Sequence, residues 1–303
     1  MRQSENNISI VGTVKSKNVR RGNVQGVPTI SLDLVVQSKV ADRVNVVRVS
    51  FFAKNTSKLY AGYETSANEL KTIKDNGTGD RVRITGSLDM NEFMTKDGQF
   101  VSNNKVRGLF CNRLGAEDTT PDCCGVVIEC VVLGTTDELK DGKMTGVKKV
   151  QAYSVGYNDS IIELKDLIVA PNLAGQFANI YQPNSTGKLF VNINNYAEVG
   201  TSATPQQQVQ TAFGTQLNVM PDEVKNYVNN LEIVGGDMPT VIGKYTMEEI
   251  AQMRQLREQI QQKIMSTPAK PQTNTQPSGF GNGFGNEGFG ADFAPIDDDS
   301  MPF

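Results

Sequence analysis

Three observations predict a mainly β chain. Apolar and polar residues alternate through the first third, Gly, Asn and Asp punctuate that alternation, and it resumes after residue 124. In "NNISIVGTV", Ile8, Ile10 and Val14 share one face. In "TISLDLVV", Ile30, Leu32, Leu34 and Val36 do the same. In "VNVVRVSFF", Val47, Val49 and Phe51 face one way, and Arg48, Ser50 and Phe52 the other. A period of two marks half-buried antiparallel sheet. The alternation stops in "NTSKLYAGYETSANELKTIKDNG", which predicts a helix around Ser57–Lys74 closed by Asn76-Gly77. Strands return in "DRVRITGSLDMNEF", turn at "KDGQ" and continue in "NNKVRGLF". Three strands, a helix and a two-stranded hairpin form the element order of a five-stranded oligonucleotide-binding (OB) barrel.

Residues 116–200 are again β-rich, in "CGVVIECVVLG", "GVKKVQAYSVGYN", "SIIELKDLIVA" and "GKLFVNINNYAEV". They predict a second small β-barrel, which could be a diverged copy of the first. Residues 201–265 read as a helical extension. Pro221 opens a short helix at Asp222-Glu223. Thr246 to Glu249 is a capping-box pattern, followed by a stripe of Ile250, Met253, Leu256, Ile260 and Ile264. That stripe is expected to pack on its own domain, the other reading being self-association. From Ser266 Pro, Gln, Asn, Thr and Gly dominate, and a disordered linker is expected over 266–303.

Composition narrows the chemistry. The 303 residues suit two domains, or one with appendages. No apolar run is long enough for a membrane span, and no leader is visible, so a cytoplasmic protein is expected. It would lie in a bacterium or, if phage-encoded, in its host. The chain has no His, which excludes most triads and zinc-protease schemes. Cys111, Cys123, Cys124 and Cys130 lack metal-knuckle spacing, so reduced thiols, no metal and no cofactor are expected. The overall net charge of −3 hides an asymmetry. Residues 1–115 carry a net +8, and every later segment is acidic. A basic head joined to an acidic arm suits an anionic ligand.

The strand "RVRITGSLDMNEF" specifies that ligand further. Val82, Ile84, Leu88 and Met90 belong to the core. The opposite face starts with Arg81 and Arg83 and ends with Phe93. Cations follow phosphates and a ring stacks on an unpaired base, without reading its identity. Arg48 and Phe52 repeat the pairing on what the sequence order makes the adjacent strand. Lys15, Lys17, Arg20 and Arg21 add charge in the first hairpin, as do Lys105 and Arg107 in the last strand. No basic recognition helix appears, so single strands are favoured over duplex.

The chain ends in "FAPIDDDSMPF". A Gly- and Pro-rich segment running into consecutive aspartates and a terminal Pro-Phe resembles the C-terminus of bacterial-type single-stranded-DNA-binding proteins. "VVRVSFFAKNT", "GDRVRITGSLDMNEF" and "TKDGQFVSNNKVRGLF" resemble, in order, the third strand and closing hairpin of that family's barrel. The resemblance covers about residues 6–115 and the tip. It implies sequence-tolerant coating of single strands, a base-stacking aromatic at Phe93, and recruitment of replication and repair proteins. That recruiting tip would be Asp297, Asp298, Asp299, Met301, Pro302 and Phe303. The chain departs from the family in lacking Trp, in Ser300-Met301 where an apolar residue such as Ile is usual, and in residues 116–265, which suggest a two-barrel variant.

The expectation is therefore a non-enzymatic protein of replication, recombination and repair. An OB domain spans 1–115, and the acidic middle supports structure or assembly of several copies. One rival is a replication or recombination adaptor using OB folds mainly for protein contact. The other is a nuclease using Asp137, Glu138 and Asp141, although "TTDELKDGK" reads as a solvated turn.

Overall fold

The computed structural model describes residues 1–95, 97–201 and 223–266. The first ring is built from β1 (Asn6–Val24), β2 (Val27–Val40), β3 (Arg43–Lys54), β4 (Arg81–Met94) and β5 (Phe100–Arg113). Its strands close in the order β1-β2-β3-β5-β4-β1, with β3 and β5 parallel and the other pairs antiparallel. This is the OB barrel expected from the element order. The inward side is the alternating apolar set: Ile8, Ile10, Val14, Ile30, Leu32, Leu34, Val36, Val47, Val49, Phe51, Val82, Ile84 and Leu88 are all buried. Met90 is half-buried against them.

Two register shifts bend the sheet into a ring, one after Val14 in β1 and one between Thr85 and Gly86 where β4 meets β5. Beside the second, Gly86 faces Gly108. A Cβ on Gly108 would lie 2.2 Å from Phe51 Cε1, so the barrel closes there because the side chain is absent. Gly108→Ala is expected to destabilise the fold by ~1–3 kcal/mol through overpacking, read as a lower urea midpoint with an unchanged slope.

Helix α1 (Leu59–Glu69) plugs one end of the ring, with Tyr63 edge-on to Phe51 at 5.3 Å and its hydroxyl donating to the Leu109 carbonyl. The single helix expected over Ser57–Lys74 is broken. Leu70 turns extended to bury its side chain, and Thr72 starts α2 (Ile73–Asn76) by accepting from the Asp75 amide. Gly77, at φ 74°, ends α2 as the sequence predicts.

The second ring comprises β6 (Cys123–Lys140), β7 (Lys143–Val155), β9 (Leu167–Val169), β10 (Ser185–Thr201) and β11 (Glu223–Gly236), with β8 (Ile161–Glu163) added beside β7. Its order, β6-β7-β9-β11-β10-β6, repeats that of the first, down to the parallel β9–β11 pair. Helix α3 (Pro171–Ile180) follows β9 as α1 follows β3. Its bulges also coincide: β6 shifts register after Val132, and β10–β11 between Phe190 and Val191. The expected helix at Pro221 is corrected. Residues from Glu223 form β11, because the second barrel needs a fifth strand and β10 offers a free edge for an antiparallel partner. Alternation also misses α3, whose signal is Pro171 at the first helical position.

The two rings share one seam. The start of β1 lies between β4 and β6, pairing antiparallel with β6 from Asn6↔Ile128 to Val11↔Cys123. Salt bridges from Arg2 to Glu129 and from Lys188 to Glu5 flank it. Helix α4 (Met247–Ser266) begins with the predicted capping box, in which the Thr246 amide donates to Glu249 and the Glu249 amide to Thr246. Ile250, Met253 and Leu256 pack against Val131, Leu133, Tyr153, Val155 and Ile161 of the second ring. Among the described residues no helix is long and apolar enough to cross a membrane.

Candidate nucleic-acid interface

The outward face of β2, β3 and β5 is ordered by strand register into rows. One row runs Arg20–Ser31–Phe52. The next runs Asn18–Asp33–Ser50–Arg107 and continues to Ser87. A third runs Ser16–Val35–Arg48. Arg20, Arg48, Phe52 and Arg107 thus converge on one patch, although they come from three strands. Phe52 is half-buried, and Arg48 is exposed. Asp33 is the patch's internal counter-charge, accepting from Ser50 Oγ at 2.6 Å and from Arg20 at 3.2 Å. Arg20 sits on the buried Asp33 carboxylate, Arg107 lies in the Asp33 row and Arg48 in the next, so guanidinium groups stand beside an aromatic ring, the combination that holds phosphates and stacks bases.

Lys105 lies next along β5, 3.6 Å from Asp89. Phe93 stands further out, on the arm formed by the ends of β4 and β5, opposite Val101 and half-buried. The remaining predicted residues sit elsewhere. Lys17 donates to the Ala67 and Leu70 carbonyls, where it caps the end of α1. Arg21 pairs with Glu64 of α1 at 2.6 Å. Lys15 is exposed at the β1 bulge. Arg81 and Arg83 do point outward, but they grip the connection between the rings. Arg81 donates to the Asp118 and Thr120 carbonyls and to Asp122, and Arg83 to Thr120 Oγ1. The tip residues Asp297, Asp298, Asp299, Met301, Pro302 and Phe303 lie outside the described residues.

The second ring presents the same positions with opposite chemistry. Where Ser50 meets Arg107 in the first ring, Ile168 meets Glu232 in the second. Part of its outer surface is also covered by α4. The first ring is therefore the one whose open face suits an anion.

Cys123 and Cys124 fall on opposite faces of β6. Cys124 and Cys130 are buried in the core, and burial pushes both thiols up to about 12. Burial pushes Cys111 up to about 11, against a hydrogen bond from Ser66.

Sequence reading missed the charged cluster under α4. Arg257 is 2% exposed and is held by Glu92 on the β4–β5 arm of the first ring and by Glu163 on β8 of the second. Its Nη1 donates to Glu92 at 2.6 Å and its Nε to Glu163 at 3.0 Å, while Ser102 Oγ donates to Glu92 at 2.6 Å. Burial alone would raise the Glu92 carboxyl, but the Arg257 and Ser102 hydrogen bonds outweigh it and hold Glu92 below the usual carboxylate range. The signal was present in the sequence: Arg257 falls inside the apolar stripe, between Met253 and Ile260, where a helix turns inward.

A family model described as YorF matches residues 4–267. No curated protein matches the sequence. Among solved structures, the wild-type single-stranded DNA binding protein from Thermus aquaticus aligns with 82% of this chain and 99% of its own, at 13% identity and a TM-score of 0.50. A deletion mutant of that protein aligns with 82% of this chain and 100% of its own, with the same identity and score. At that identity the likeness is one of fold.

Proposed function

The chain belongs to the YorF family, and we propose that it is a non-enzymatic, sequence-tolerant single-stranded-DNA-binding protein acting in replication, recombination and repair. The observation that carries this reading is the patch that Arg20 of β1, Arg48 and Phe52 of β3 and Arg107 of β5 form on the outer face of the first ring. OB barrels bind oligonucleotides on their strand 2–3 face and adjoining hairpins. Phe93 and Lys105 extend the patch toward the arm. The proteins of similar fold are described as single-stranded DNA binding proteins, which supports the same ligand.

A salt titration on oligo-dT tests the reading, with light scattering to give copies of the chain per strand. Affinity is expected to fall steeply with salt, each phosphate contact contributing about −0.7 to the log–log slope. Arg107→Ala should lower that slope by about one contact. The same measurement on Arg81→Ala and Arg83→Ala weighs the sequence expectation for two arginines that here hold the inter-ring connection. Weak, salt-insensitive binding by the parent would favour the adaptor reading.

The C-terminal tip is proposed, on its sequence, as a recruiter of replication and repair proteins. Its aspartates repel phosphates and would steer encounter with a basic pocket, where Phe303 fills an apolar hole and its carboxylate meets Arg or Lys. Removing Asp297–Phe303 is expected to leave oligo-dT affinity unchanged or slightly higher and to abolish capture of those partners from host lysate. Equal capture by full-length and truncated chains would reduce the tip to a solubilising terminus.

A further inference from the structure

Helix α4 fills a groove between the rings. The floor of that groove is β6 and β7, with Val131, Leu133, Tyr153 and Val155 packed around Ile250, Met253 and Leu256. Its wall is the β4–β5 arm, where Glu92 and Ser102 meet Arg257. Because the rings repeat each other in order and in bulges, an equivalent groove lies across the seam. Its floor is β1 and β2, and its wall is the arm formed by β10 and β11.

The equivalences follow from register. Thr13↔Gln37 in the first ring stands where Val131↔Tyr153 stands in the second. Lys15 occupies the β1 bulge as Leu133 occupies that of β6, and Lys39 lies two residues past Gln37 as Val155 lies two past Tyr153. On the wall, the pair Ala197↔Tyr227 matches Glu92↔Ser102, counted outward from the coincident bulges.

Among the described residues no helix covers this second groove. Tyr227 is 68% exposed, with Ala197 opposite it and Asn195 and Asn229 beside it, all exposed. The opposite face of the same arm is closed, with Tyr196 buried under the Arg43 guanidinium. The floor has exchanged four of its apolar residues for a hydroxyl, an amide and two exposed lysines, keeps Val44 where the second ring has Ile161, and holds the Asp122 carboxylate on the Lys39 backbone amide at 2.9 Å. Such a floor offers an apolar helix far less than β6, β7 and β8 offer α4. Ammonium groups on the floor, with an exposed ring and exposed side-chain amides on the wall, suit phosphates and bases. The floor also continues the proposed interface: along the outer side of β1 and β2, the rows pass from Arg20–Ser31 through Ser16–Val35 to Thr13–Gln37.

We propose that this groove is a second single-stranded-DNA site, in which Tyr227 stacks on a base while Lys15 and Lys39 hold phosphates. The proposal rests on the DNA-binding reading above, and assigns the acidic second ring a contact through its arm.

The chain has no Trp, so Tyr227→Trp and Phe52→Trp would each introduce a single reporter. Each variant is titrated with oligo-dT of about 10 nucleotides, within one barrel's site size, and of about 40. Trp at 52 should be quenched by both lengths, and Trp at 227 by the longer strand only. Tyr227→Ala should weaken the longer strand about fivefold or more and leave the shorter unchanged. Quenching at 52 without quenching at 227 on the long strand would overturn the second site and leave the first reading standing. No quenching at either position, with no binding of the parent, would overturn both. A concentration-dependent blue shift of the 227 reporter without DNA would show another copy of the chain in the groove, and would also overturn the proposal.

Discussion

Arg257→Leu is expected to cost ~3–5 kcal/mol of stability, because it strands the Glu92 carboxylate in a site built around its partner. Glu92 is 5% exposed, and its remaining hydrogen bond comes from Ser102 alone. Denaturant unfolding at pH 7 checks this as a lower midpoint. The pH dependence carries a distinct sign. In the parent, Glu92 sits below its ordinary value, so its contribution is complete above the unfolded carboxylate range and is lost as pH falls through the lower folded value. In Arg257→Leu only the Ser102 hydrogen bond and the Lys165 charge still oppose burial, so Glu92 should move up from its lowered value. The variant's deficit should then shrink at pH 4. Arg257→Leu combined with Glu92→Leu removes both charges, and should recover much of the loss. A deficit that is pH-independent and unrelieved in the double variant would place the cost in lost packing of α4.

The second large effect concerns the ligand. Phe52→Ala should weaken oligo-dT binding by ~1–3 kcal/mol, as loss of one stacking platform does. It should leave the unfolding midpoint nearly unchanged, since the ring lies on the outer side of β3 while Phe51 fills the core. Writing the second ring's chemistry into the first, as Arg107→Glu, should weaken binding further and flatten its salt dependence. The reciprocal Glu232→Arg leaves the Arg20–Phe52 patch untouched and should not reduce affinity. If Phe52→Ala binds like the parent while Phe93→Ala does not, the base-stacking ring lies on the arm, where the family resemblance puts it.

The first ring was legible because each of its strands has one face in the core and one in solvent, so period two shows directly at Ile30–Val36 and Val47–Phe51. The second ring was harder to read. β9 has three residues, and β11 follows a Pro-Asp-Glu start that imitates a helix N-terminus. The cations were visible as a set, but not their employment. Nothing local to Lys17 reveals that its ammonium closes α1, and nothing local to Arg81 reveals the carbonyls of residues 118 and 120. Those partners are distant in sequence, and only the closed barrel brings them near. Arg257 is the converse case, a charge whose helical position alone marks it as inward.

The β1–β6 seam has a consequence for biosynthesis. As the chain leaves the ribosome, the first barrel can close on itself, yet the start of β1 keeps an open edge on its β6 side until the second barrel emerges. Strand edges in that state are templates for pairing with other nascent copies, a hazard for any product that stops early. Completion of the second barrel covers that edge within the same molecule. The later half of the chain thus acts on the earlier half as an intramolecular chaperone, whatever ligand the finished protein holds.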